Sequence, residues 1–142
     1  MTIMETEITK KSFGRYVPDV VRVLLGLMFT VFGLNGFLQF MPAPKEMPQP
    51  VMNFLGALMS THMMGFISGV QLLAGVLLLL NLFVPLALTL LAPLLVGILF
   101  FHASLAPESI APGIVVTVME LYLAWAYRGA FRPMLAMKVR PT

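Results

Sequence analysis

Four long apolar stretches, separated by short polar or proline-rich breaks, organise this chain. They run from about Pro18 to Met41, Val51 to Leu80, Val84 to His102 and Pro112 to Arg128. A helix rises about 1.5 Å per residue, and about 20 apolar residues cross the hydrocarbon core of a bilayer. The second stretch is thirty residues long, more than one span needs, and Ser60-Thr61-His62 interrupts it. It is read as a short interfacial helix over 53–61, followed by a span from Met64 to Leu80. The expected spans are therefore about 18–41, 64–80, 84–102 and 112–128.

The breaks support this division. Met41 to Pro50 contains Pro42, Pro44, Pro48 and Pro50, a stiff segment that cannot be helical throughout. Asn81-Leu-Phe-Val is short enough only for a tight hairpin between the second and third spans. Pro18 suits a helix start, where a missing N–H costs nothing. Residues 1–16 read as a polar tail without the apolar core and cleavage site of a secretory signal. The sequence thus predicts an all-α membrane protein: a four-helix transmembrane bundle over 17–135, an interfacial helix before the second span, and terminal tails 1–16 and 136–142.

Composition agrees with the pattern. Hydrophobic residues make up 59% of the 142 and charged residues only 11%, whereas a soluble domain carries about a quarter charged. There is no cysteine, which excludes disulfides, thiolate metal sites and thiol exchange by this chain. The net charge is +3, but the basic residues sit beside apolar segments, so membrane topology explains them and nucleic-acid binding is not expected. Eight of the nine Lys and Arg residues flank the first or fourth span, leaving only Lys45 on the other side. The positive-inside rule then predicts a multi-pass plasma-membrane protein with both termini cytoplasmic and the proline loop outside. Arg22 is expected to snorkel to the cytoplasmic headgroups, with Asp19 one turn away.

Glu120 changes the picture most. It lies inside the fourth span, where a charged carboxylate is costly and is retained with a partner or a use. Asn35, Gln71 and Glu120 fall at roughly 9, 10 and 12 Å from the outer ends of their helices. Thr117 shares the Glu120 face, and Ser68, Ala74 and Gly75 share that of Gln71. Small and hydroxylated residues of this kind mark helix contacts in lipid. Gln71 and Glu120 are therefore expected within direct or single-water hydrogen-bonding reach, with His102 nearer the outer mouth. As a neutral acid Glu120 can donate one bond and accept others, so it is the candidate catalytic group. Gln71, Asn35, His102 and Thr117 are the candidate ligand-binding groups. The plainer reading makes Glu120, Gln71 and Asn35 interhelical glue, worth about 0.6 kcal/mol per bond. Pro93 leaves the Thr89 carbonyl without its helical donor and could shape a pocket wall. No metal site is assigned; Met41, Met47, Met59, Met63 and Met64 gather on the outer side, and soft-metal binding is the minor reading of them.

Several segments resemble the DoxX family of small four-span membrane proteins. These are Arg22-Val-Leu-Leu-Gly-Leu27, Gly33-Leu-Asn-Gly-Phe37, Gly69-Val-Gln-Leu-Leu-Ala-Gly75, Leu91-Ala-Pro93 to Phe101-His102, and Glu120-Leu to Leu135. Their order and spacing cover roughly Pro18 to Leu135. The family includes a subunit of a thiosulfate:quinone oxidoreductase and a membrane partner of redox enzymes. The resemblance implies a redox-associated subunit that binds quinone or another small lipophilic ligand in an outward-opening polar pocket. If such a subunit has an activity, it would be as part of a quinone-linked oxidoreductase. Quinone is the one cofactor it suggests. The partners it suggests are the bilayer, a membrane redox enzyme and further copies of the chain. Many relatives carry Glu where this chain has Gln71, which would leave Glu120 to bear any proton handling. The rival reading is a non-catalytic membrane scaffold that docks partners through its proline loop and interfacial helix.

Overall fold

The computed structural model describes residues 3–142, with side chains from residue 14 onward. Six helices follow one another: α1 (Ile3–Leu38), α2 (Gln49–Ser60), α3 (Met63–Leu80), α4 (Val84–Leu105), α5 (Ala111–Ala126) and the short α6 (Arg128–Phe131). Single 3-10 turns at Pro107–Ser109 and Arg132–Leu135 complete the helical segments. No strand occurs among the described residues. The chain is an all-α, multi-pass membrane bundle. Gly14–Leu38, α3 and α4 are each long and apolar enough to cross a bilayer. The fourth passes that test only when α5 is joined to the segment Arg128–Leu135, which turns away from it by 76°.

Side-chain exposure supports the same assignment. Leu27, Phe66, Leu73, Val96, Phe100 and Leu121 point away from the bundle and are between 51% and 73% exposed. Apolar surface on this scale is unfavourable in water and is satisfied by lipid tails. The interior is a continuous cluster that includes Leu25, Phe29, Leu78, Leu88, Leu91, Val116 and Leu123, drawn from all four long helices.

The long helices form a ring. α1 packs against α3 and α5, and α4 packs against the same two. Hence α1 and α4 face each other across one diagonal, and α3 and α5 across the other. The α1–α3 seam is the tightest. A Cβ added at Gly33 would lie 2.6 Å from the Leu72 nitrogen, and one at Gly75 would lie 2.5 Å from the Thr30 nitrogen. Only glycine permits backbones to approach so closely, as small residues do at helix crossings in lipid. Thr30 ties its hydroxyl to its own helix, donating to the Gly26 carbonyl at 2.7 Å.

The bounds of α1, the start of α2 (Gln49 rather than 53) and the place of Arg22 differ from expectation. The α1 helix does not start at Pro18 but runs back to Ile3, through most of the expected tail, and Pro18 lies inside it. The helix-favouring residues Glu5, Glu7, Lys10 and Lys11 fit that extension. The first two residues of the expected tail lie outside the described ones. At its far end α1 stops at Leu38 rather than Met41. Gln39 takes a left-handed conformation (φ 50°), and its N–H caps the Asn35 carbonyl at 2.8 Å.

The third difference concerns Arg22. Its side chain does not snorkel to headgroups; the residue is only 8% exposed. Its Nη1 donates to the Leu78 carbonyl in the last turn of α3, and Nη2 lies 3.7 Å from Asp19. The end of a helix presents unpaired carbonyls and the negative end of the dipole, so a cation there is favourable. The same turn closes with Asn81 left-handed (φ 56°) and the Leu82 N–H bonded to Leu77 at 3.0 Å. That end of the bundle is therefore locked by α1 as well as by the α3–α4 hairpin.

Candidate functional site

The second apolar stretch breaks where Ser60-Thr61-His62 interrupts it. His62 adopts a left-handed conformation (φ 61°), and α2 becomes a separate helix packed on α3. α2 reaches α4 as well: the rings of Phe54 and Phe101 lie 5.2 Å apart. Beneath it is a cavity of about 250 Å³ between α3 and α4. Phe54, Leu55 and Leu58 of α2 form the roof, Met64, Ile67 and Gln71 line one wall, and α4 supplies the other.

The α4 wall follows from its sequence. Pro93, Gly97 and Phe101 recur every four residues and so lie on one stripe of the helix. Pro93 removes one backbone donor, and Gly97 presents no side chain. A Cβ added at Gly97 would meet nothing within 4 Å, so the groove exists partly because that residue is glycine. Pro93 and Gly97 are exposed on the bundle surface, so the cavity opens toward the side.

Two polar side chains reach this otherwise apolar space, Gln71 and His102. Both are half-buried. The Gln71 amide offers two donors and one acceptor oxygen. His102 has a fixed partner: its Nδ1 lies 3.0 Å from the Ser109 hydroxyl, which also lies 3.1 Å from the Ala106 carbonyl. A hydroxyl has one proton. When Ser109 donates to Ala106, Nδ1 carries the imidazole proton and Nε2 is an acceptor. When Ser109 donates to Nδ1, Nε2 carries the proton and is a donor. His102 can therefore meet either a carbonyl or a hydroxyl.

The other sequence-selected residues lie elsewhere. Glu120 is buried, at 6% exposure, on the face of α5 that also carries the core residues Val116 and Leu123. Its Oε2 has no hydrogen-bond partner. No hydrogen bond among the described residues joins it to Gln71, and neither cavity includes it in its lining. The ring arrangement gives the reason: α3 and α5 are diagonal, and Gln71 turns toward the α3–α4 gap. Thr117 donates to the Gly113 carbonyl of its own helix at 2.7 Å. Asn35 accepts the Met41 N–H at 2.8 Å and so fixes the start of the proline loop. It lines a second groove, with Gln39, Met41, Met59 and Met64. Of the five selected residues, Gln71 and His102 line the slot, Asn35 lines the second groove, and Thr117 and Glu120 line neither.

Sequence reasoning missed Phe54, Gly97 and Ser109. Gly97 was readable, because it extends Pro93 and Phe101 into one four-residue stripe. Ser109 was not, since its bond to His102 depends on the 3-10 turn that folds the loop back. The chain matches no protein-family model, no curated protein and no solved structure.

Proposed function

We propose that this protein is a plasma-membrane subunit that binds a small, flat, lipophilic molecule of the quinone class beneath α2, as the resemblance to the DoxX family suggests. The observation that carries the reading is the cavity: an apolar slot with aromatic and proline walls, and two polar groups at its edge. Ligand sites commonly combine such walls with few orienting polar groups. Gln71 would donate to a ring carbonyl. His102 would donate to a quinone or accept from a quinol, according to the position of the Ser109 proton. The lateral opening suits a ligand dissolved in the bilayer. Electron transfer would depend on the ligand and on a partner enzyme, because the residues themselves supply no redox group. Glu120 does not line the slot, so this reading does not rest on it. Any role in proton handling would be exercised from the core of the bundle.

The deciding experiment is equilibrium binding of a short-chain ubiquinone to the full-length protein in nanodiscs, alongside mass spectrometry of the lipids that co-purify with it. Saturable binding that weakens at least about tenfold, or 1.4 kcal/mol, in Gln71→Leu is expected. Binding that is absent, or indifferent to Gln71, would overturn the proposal.

A further inference from the structure

The second groove lies where the end of α1, the proline loop, α2 and the start of α3 meet. Three of its lining residues are methionines from three different segments: Met41 from the loop, Met59 from α2 and Met64 from α3. Their convergence is built by local structure. The Asn35 side chain holds the Met41 backbone at 2.8 Å. The left-handed Gln39 ends α1 before the loop, and the left-handed His62 lies between α2 and α3, which pack on each other. Gly36 in the groove wall leaves no room for a side chain, since a Cβ there would lie 1.7 Å from Ser68 Oγ.

Thioether sulfur is a neutral, soft donor. It is a poor ligand for Mg²⁺, Ca²⁺ or Zn²⁺ and a good one for Cu(I), whose low charge needs no anionic partner. Three thioethers make a complete low-coordinate set for such an ion. No cluster of three or more His, Asp or Glu side chains able to hold a metal occurs among the described residues. The groove has a volume of about 690 Å³ and is open, and Met41 and Met59 are 37% and 53% exposed. Unbranched methionine side chains have the freedom to close on an ion from such positions. We infer that Met41, Met59 and Met64 form a binding site for a soft monovalent metal ion, Cu(I) in chemical class, at the proline-loop end of the bundle. The site shares Met64 with the wall of the slot under α2, and metal binding is read independently of any ligand in that slot.

The test uses the full-length protein in nanodiscs, with Ag(I) as a redox-silent probe read by native mass spectrometry. Cu(I) under ascorbate is then measured in competition with a chromogenic chelator. One ion per chain is expected. The triple variant Met41→Leu, Met59→Leu, Met64→Leu keeps apolar volume and helix propensity, so the fold should survive, as helical circular dichroism would show. Its affinity should fall at least 100-fold. The paired control Met47→Leu, Met63→Leu changes methionines outside the groove lining and should bind as the parent does. Absence of Ag(I) and Cu(I) binding by the parent, retention in the triple variant, or loss in the control would each overturn the inference.

Discussion

Gly97→Leu separates binding from folding more cleanly than any change at a polar group. The glycine faces the slot, and a Cβ built there meets nothing within 4 Å. A leucine side chain adds four carbons. At about 30 Å³ for each water-sized group, it would take roughly 120 Å³. The cavity has about 250 Å³, so nearly half of it would be lost. Small-molecule pockets run from about 300 to 1,000 Å³, and this one has no volume to spare. A flat ring then fits only if α2 lifts and the Phe54–Phe101 contact opens. An affinity loss of at least about tenfold, or 1.4 kcal/mol, should follow. Stability should move the other way or stay level, because glycine inside a helix costs up to about 1 kcal/mol relative to a residue with a side chain. The assay is short-chain ubiquinone binding in nanodiscs, paired with reversible unfolding in mixed micelles followed by circular dichroism. Unchanged binding in a stably folded Gly97→Leu protein would refute the slot as the ligand site. Binding lost together with the fold would refute the claim that Gly97 borders empty space.

Gly33→Ala should behave oppositely to Gly97→Ala. A methyl 2.6 Å from the Leu72 backbone nitrogen forces α1 and α3 apart, at a cost of about 1–3 kcal/mol in the same unfolding assay, while Gly97→Ala is neutral or stabilising. Glu120→Gln should fold within about 1 kcal/mol of the parent, since shape and hydrogen-bonding capacity survive, and should bind ubiquinone as the parent does; weakened binding would mean that the carboxyl reaches the slot after all. If both termini are cytoplasmic, a cysteine placed at Lys45 should react with an impermeant thiol reagent in intact cells and one at Arg140 should not. The reverse pattern would invert the bundle.

The fold was largely legible because lipid leaves few choices. Apolar length marked the spans, and the interruption at Ser60-Thr61-His62 marked the break before α3. The α3 side of the α1–α3 seam was readable, as Ser68 and Gly75; the α1 side was not, because Asn35 lies nearly opposite Gly33 on that helix. The site was less legible. Depth and helix face placed Gln71 and Glu120 at one level, but neither quantity says which helices are neighbours. Adjacency in the ring set Gln71 against the α3–α4 gap and left Glu120 in the core. Arg22 was misjudged for a related reason. From one helix it is a charge near a membrane surface; only the position of α3 supplies a carbonyl that draws it inward.

The two ends of the bundle are built for different tasks. Where the termini lie, α1, α3 and α4 are tied by Arg22, the left-handed cap at Asn81 and a three-residue hairpin turn, and the core is densely apolar. At the other end, α2 rests on α3 and α4 through side chains, joined to its neighbours by a proline loop and a short turn. Leu55 and Met64 line both openings, one on either side of this helix. A helix held by side-chain contacts alone is cheaper to displace than one fixed in the ring, and segments that admit ligands are drawn from such low-stability parts. If the slot holds a ligand as proposed, α2 is the part of its wall that is cheapest to move.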